Sequence, residues 1–145
     1  MIKNGHAVSH GIQLKKKYGQ HFLRDQSVID TILNNATLDE STSVFEIGCG
    51  DGILTRGILS KKIARLWVFE IDPDWVAHIG KTISDKRMTV HTDNILDIDF
   101  SVFESHKPWT LLANLPYQVT FPILHKLQEN KHLLREGVIL SLIHI

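Results

Sequence analysis

The sequence holds one cysteine, Cys49. A lone thiol cannot close an internal disulfide, so nothing calls for an oxidising compartment. No apolar run approaches the roughly 18 residues that a membrane-spanning helix needs. The opening stretch, MIKNGHAVSHGIQLKKKYGQ, lacks the apolar block of a secretory signal. These absences make a cytoplasmic, membrane-free protein the expectation. Internal repeats and low-complexity tracts are also missing. The nine histidines show no tight metal-ligand spacing: His125 and His132 stand seven apart, and Cys49 is alone in a glycine turn. No serine or cysteine nucleophile motif is present. Neither a bound metal nor a covalent nucleophile is therefore expected.

Net charge of either sign is lacking too, since 16 Lys and Arg offset 16 Asp and Glu. The distribution is uneven, however. Residues 1–24 carry Lys3, Lys15, Lys16, Lys17 and Arg24 and no acid, which leaves 11 basic against 16 acidic residues in the remainder. That basic arm could meet phosphates, or it could be a solvated, partly disordered terminus, the reading that charge alone favours. The rest, residues 25–145, is the size of one domain with a single core.

Local patterns divide this domain into alternating elements. DQSVIDTILNNA sets Val28, Ile29, Ile32 and Leu33 on one helical face behind an Asp25 cap. SVFEIG reads as a buried strand, LTRGILSKK as a helix and RLWVFEID as a second strand. DPDWVAHIGKTIS reads as a helix opened by Asp72 and Pro73, and RMTVHTD as a third strand. WTLLANL is a fourth strand, TFPILHKLQEN a helix interrupted near its start by Pro122, and GVILSLIHI a fifth strand. Strands that are apolar on both faces and alternate with helices predict an α/β fold with a parallel sheet covered on both sides. Ligands of such sheets sit at the carboxyl ends of the strands.

The strand ends carry the unusual residues. The first ends FEIGCGDGILT, with Gly48, Gly50 and Gly52 at alternate positions. Such a loop lets main-chain N–H groups approach a ligand closely, although a plain strand-to-helix turn also uses glycine. A dinucleotide fingerprint wants glycine where Ile53 stands. The second strand ends at Glu70, eighteen residues past Gly52. A carboxylate there can accept from both hydroxyls of a ribose; the alternative is a surface acid. Asp93, at the third strand end, could accept from an adenine amino group or serve as a loop cap. The fourth strand ends Asn114-Leu115-Pro116-Tyr117. Pro116 removes an amide donor, so the Asn114 side chain and the Leu115 carbonyl can face a crevice as acceptors. Tyr117 offers a flat ring that could stack on a base, or a rim aromatic of the core.

Four stretches together resemble the ribosomal RNA adenine N6-dimethyltransferases of the KsgA type: KKKYGQHFLRDQSVID, EIGCGDG, VFEID and NLPY. The resemblance runs in order from about Lys15 to Leu140. It implies a Rossmann-like S-adenosylmethionine-dependent methyltransferase fold with a mostly parallel sheet. It further implies His21 and Leu23 beside S-adenosyl-L-methionine, Gly48 and its loop with Gly50 near the methionine portion, Glu70 on the ribose and Asp93 on the adenine. Asn114 would border the cofactor and face the reactive amine, and Tyr117 would stack on the target base. Lys15, Lys16 and Lys17 would contact RNA phosphates next to the cofactor-contacting block. The family's substrate is a pair of adjacent adenosines near the 3′ end of small-subunit rRNA, each methylated twice. The implied partner is that rRNA in the pre-ribosomal particle, met by a monomer.

Two features depart from the family pattern. His21 stands where many members have asparagine. After GVIL the family usually continues with a polar segment, further strands and a small helical domain, whereas this sequence reads SLIHI. The expectation is a chain without the last strands and the helical domain. Three functional readings follow: an adenine dimethyltransferase, a non-catalytic cofactor- or rRNA-binding module such as an assembly factor, and a nicotinamide-dependent oxidoreductase. Ile53 and the Asn114 tetrad count against the last.

Overall fold

The computed structural model describes residues 2–3, 6–15 and 23–141. Lys16, Lys17 and His21 lie outside the described residues.

Five parallel strands form the central sheet: β4 (Ser43–Ile47), β5 (Arg65–Phe69), β6 (Met88–His91), β7 (Trp109–Leu115) and β8 (Leu134–Ser141), in the spatial order β6-β5-β4-β7-β8. The expected parallel α/β sheet is present. Every residue of β4 is buried, because it pairs on both sides and is covered on both faces. Alternate residues feed two cores. Val44, with Val68 and Leu112, packs under α1 (Gln26–Asn34), α2 (Ile53–Leu59) and α3 (Pro73–Thr82). Phe45 and Ile47 enter the opposite core with Phe69, Trp109 and residues of α4 (Tyr117–Glu129). Phe45 lies 4.8 Å from the Trp67 ring and 4.3 Å from that of Trp109, in the range where offset aromatic contacts add to burial.

The helix starts follow the capping residues. Asp25 Oδ1 accepts from the Ser27 N–H at 2.8 Å and the Ser27 hydroxyl at 2.6 Å, and α1 buries Ile29, Ile32 and Leu33. Asp72 caps α3 with Pro73 at its first position, and α3 buries Trp75 and Ile79. Helix α4 starts at Tyr117, three residues before the sequence expectation. Pro116 (φ −59°) occupies its N-cap, and its carbonyl accepts from Val119 N–H (3.2 Å) and the Thr120 hydroxyl (3.1 Å). These bonds close the first turn that the patterning of apolar residues alone did not show.

Residues read from charge as a solvated terminus form a meander of three short antiparallel strands, β1 (Ile2–Lys3), β2 (His6–Ser9) and β3 (Ile12–Gln13). His10 (φ 49°) and Gly11 (φ 78°) join β2 to β3, with Ser9 opposite Ile12. Two consecutive left-handed residues make the turn whose twist matches a hairpin. Basic groups of this arm meet acids at the starts of α2 and α3. Arg24 lies 3.1 Å from Asp51, and Lys15 Nζ donates to Asp72 at 2.7 Å and Asp74 at 2.6 Å. Asp51 and Asp72 are both buried, and a buried carboxylate needs such a counter-charge.

Candidate functional site

The chain enters the sheet at β4, moves outward to β5 and β6, then returns to β7 on the other side of β4. The order reverses between β4 and β7, and a crevice opens there beyond the carboxyl ends of the strands. Gly48 ends β4 with φ +74° and donates its N–H to the Phe69 carbonyl (2.8 Å). A Cβ at Gly48 would meet only the Asn114 carbonyl, at 3.9 Å, so its left-handed backbone and open space make it a cradle rather than a packing position.

A cavity of about 320 Å³ occupies this crevice. Gly48 and Gly50 line it from the first strand end, Glu70 from the second, Asp93 from the third, and Asn114, Leu115 and Pro116 from the fourth. Leu23 adds a wall from the segment before α1, and Phe69, Ile95 and Val119 add apolar surface. Of the residues singled out in the sequence, these eight converge on one space. Tyr117 follows Pro116 outside the cavity lining and is 47% exposed. Lys15 sits with Asp72 and Asp74, which hold its ammonium well above the usual lysine range by hydrogen bonding.

Glu70 is buried and ties the site together. Its Oε2 accepts from Gly50 N–H (3.1 Å) and its Oε1 from Asp72 N–H (2.9 Å), linking the glycine loop to the start of α3. Burial holds this carboxyl above the ordinary glutamate range, and the two amide bonds oppose that shift. An ionised carboxylate has about four acceptor sites, so capacity remains for hydroxyls. Asp93 was also open to a capping role, but Asn94 fills it: Asn94 Oδ1 accepts from Leu96 N–H at 3.0 Å.

Two acids escaped the sequence reading. Asp51 lines the cavity while facing Arg24 and, at 3.6 Å, His10, so it joins the arm to the site. Glu46, two residues before Gly48, is fully buried on the α2 side of β4. The Thr55 hydroxyl is close enough to favour the ionised form, yet neither Glu46 oxygen has a hydrogen-bond partner among the described residues. Burial pushes its carboxyl up to about 8, with the nearby Glu70 charge adding to the shift. An acid inside an otherwise apolar strand, SVFEI, was the available signal. Burial also pushes the Cys49 thiol far up, with Glu70 and Glu46 contributing, so this cysteine is held as an unreactive thiol.

Gly52, at the N-cap of helix α2, is in the left-handed region at φ +87°. A Cβ there would run into the Ile79 side chain and crowd the Arg56 guanidinium. The substitution Gly52→Ala is expected to lower stability by ~2 kcal/mol or more, from backbone strain plus overlap. Urea unfolding of the two chains measures this; an unchanged midpoint would show that the loop relaxes freely.

The sequence matches the profile of the family described as ribosomal RNA adenine dimethylase over residues 11–143. The chain belongs to that family. Its relatives include ribosomal RNA small subunit methyltransferase A of Syntrophotalea carbinolica, 38% identical over 126 residues, which cover 87% of this chain and 47% of the relative. The protein of the same name from Streptococcus pneumoniae is 35% identical over 135 residues, covering 89% and 44%. The chain thus spans about half the length of the curated relatives it matches. Among solved structures, the 23S rRNA methyltransferase ErmE superposes with a TM-score of 0.73 at 24% identity, over 83% of this chain and 48% of that one. A dimethyladenosine transferase from Plasmodium falciparum gives 0.72 at 24% identity, over 83% and 43%. An RNA methyltransferase from Salinibacter ruber, solved with S-adenosyl-L-homocysteine, gives 0.65 at 22% identity, over 83% and 76%. These likenesses establish the Rossmann-like methyltransferase fold that the dimethylase motifs implied.

Proposed function

We propose that this chain carries the S-adenosylmethionine site and the amine-binding residues of a ribosomal RNA adenine N6-dimethyltransferase. In the finer reading, its substrate is the pair of adjacent adenosines near the 3′ end of small-subunit rRNA, each methylated twice, in the cytoplasmic pre-ribosomal particle. The observation that carries the reading is the convergence of Gly48, Gly50, Glu70, Asp93 and Asn114 on one cavity at the switch in strand order.

The cavity residues fit the cofactor. Gly48 leaves open the space that a Cβ would enter, Glu70 and Asp93 supply acceptors for hydroxyls and an amine, and Phe69 and Ile95 supply apolar wall. S-adenosylmethionine, when bound, supplies a methyl group on a sulfonium, an excellent leaving group. Glu70 accepts from the ribose hydroxyls, Asp93 from the cofactor adenine, and Leu23 and His21 flank it. The target N6 is a poor nucleophile because its lone pair is delocalised into the ring. Acceptors at the Asn114 side chain and the Leu115 carbonyl hold its hydrogens and favour the pyramidal nitrogen needed for attack. Pro116 has no N–H to compete for them. A nitrogen that gained the methyl group would be positively charged until it lost a proton to solvent, and the Asn114 and Leu115 acceptors would stabilise that charge. Orientation and stabilisation of the growing positive charge are the chain's contribution. Tyr117 stacks on the target base, and Lys15, Lys16 and Lys17 reach phosphates, Lys15 by exchanging its two carboxylates for RNA.

Calorimetric titration with S-adenosylmethionine, with NAD as the control, tests the cofactor assignment. Saturable binding of the first alone is expected. A folded chain that binds NAD, or neither ligand, would overturn it. Ile53, the first residue of α2 and part of the cavity lining, stands where a dinucleotide site wants glycine, which is why NAD is expected to fail.

A further inference from the structure

Three residues of α4 leave large apolar side chains in water. Tyr117 is 47% exposed, Phe121 81% and Leu124 43%. Their spacing places them on one face of the helix. The helix packs into the core through Ile123 and Leu127, to one side of that face, so the core does not call for an aromatic residue at position 121. A phenylalanine left in water forgoes the stabilisation that burial would return. Its position indicates what could cover it.

Tyr117 follows the Asn114–Pro116 segment of the cavity wall, and Val119 and Ile123 of the same helix continue that wall. Phe121 stands one turn further on, about 6 Å along the helix axis. From residue 117 to residue 128 the sequence contains no Asp or Glu, so a polyanion can lie along this face without meeting like charge. Exposed rings in succession beside a base-binding cavity are the arrangement on which consecutive unpaired bases stack. A flat ring at the most exposed position suits a planar ligand.

We propose that Phe121 is a second stacking platform, which receives the unpaired nucleobase next to the one held by Asn114 and Tyr117. The inference rests on the site being an RNA adenine methylation site. The platform sets the register of the strand: with one base on Phe121, its neighbour is presented to Asn114, and a slip by one nucleotide exchanges the two. Stacking uses the face of a base and not its edges, so Phe121 contributes affinity and register with little base identity.

The test is a pair of titrations followed by NMR on the S-adenosylhomocysteine-loaded chain, one with adenosine and one with an unpaired tetraribonucleotide containing two adjacent adenosines. Phe121→Ala is expected to weaken the oligonucleotide about 5- to 100-fold and to leave adenosine unchanged. Phe121→Trp should restore the affinity and Phe121→Leu should not. Because residue 121 is exposed, each variant should keep the wild-type fold, checked by its cofactor-product affinity. Oligonucleotide binding equal to wild type in Phe121→Ala overturns the proposal. So does full rescue by Phe121→Leu, which would mark the Tyr117–Phe121–Leu124 stripe as a protein contact. Wild-type binding of adenosine with no gain from the neighbouring base defeats the platform but leaves the active-site reading intact. Binding of neither ligand defeats both.

Discussion

Replacing Asn114 by alanine is expected to lower methyl transfer to rRNA adenosine about 100- to 1000-fold, the usual effect of deleting one group that stabilises developing charge. S-adenosylmethionine affinity should be unchanged. The split follows from the position of the residue. Its backbone is fixed in the sheet, where Asn114 pairs with Leu140 of β8, and its carbonyl is the atom nearest the Gly48 cradle. Truncating the side chain leaves that framework in place and removes only the amide of a residue that lines the cavity. The measurement is methyl incorporation into unmethylated small subunits, beside calorimetry of the cofactor. An equal loss of both would move Asn114 from the amine to the cofactor wall. Retention of transfer would remove it from the chemistry altogether.

The second large effect concerns Glu46. Its carboxyl ordinarily titrates near 4.5 and is pushed up to about 8 in the folded chain, chiefly by burial. Between those values the folded chain holds a proton that the unfolded chain releases. Stability therefore falls as pH rises through that interval and levels off above about 8. At 1.36 kcal/mol per pH unit, the decline attributable to this group is on the order of 5 kcal/mol. Glu70, also raised by burial, acts in the same direction. Asp85, held down at about 2 mainly by hydrogen bonding to Arg87, acts oppositely: its contribution is present above the ordinary carboxylate range and is lost as pH falls towards 2. Glu46→Gln should flatten the decline above pH 5 and raise stability at pH 8 by a few kcal/mol, because the amide cannot ionise. Urea unfolding of both chains from pH 5 to 9 measures it. Parallel profiles would mean that Glu46 ionises in the folded protein without penalty, with solvent reaching it behind the glycine loop.

Glu46 also bears on function through charge. It lies behind the loop that Glu70 organises, and Glu70 is one of the causes of its shift. With Glu46 protonated, its side chain adds no negative charge beside Glu70 beneath Gly48 and Gly50. A charge on Glu46 would raise the Glu70 carboxyl further.

Much of this protein is legible from local signals. Asp25 and Asp72 announce α1 and α3 because a cap is a contact within two or three residues. Strands buried on both faces announce a parallel sheet, and a parallel sheet delivers every carboxyl end to one edge. Gly48, Glu70, Asp93 and Asn114 could therefore be named as neighbours before any coordinates. Other features depended on residues remote in sequence. Strand order brings the end of β7 beside the end of β4, leaving the Asn114 carbonyl the nearest atom to a Cβ at Gly48. Lys15 spends its charge on Asp72 and Asp74, an arrangement that charge counts along the chain do not contain. The arm folds on a His10-Gly11 turn, a weaker hairpin signal than Asn-Gly. The protonation of Glu46 is set by the layers packed above and below β4, not by its neighbours in sequence. Caps, turns and alternation act over one or two turns of chain, so the sequence by itself determined the elements and the edge where the site lies. Burial and Coulomb interactions depend on distances that exist only after the layers meet, so the tertiary structure decided which of those groups carry charge and what they face.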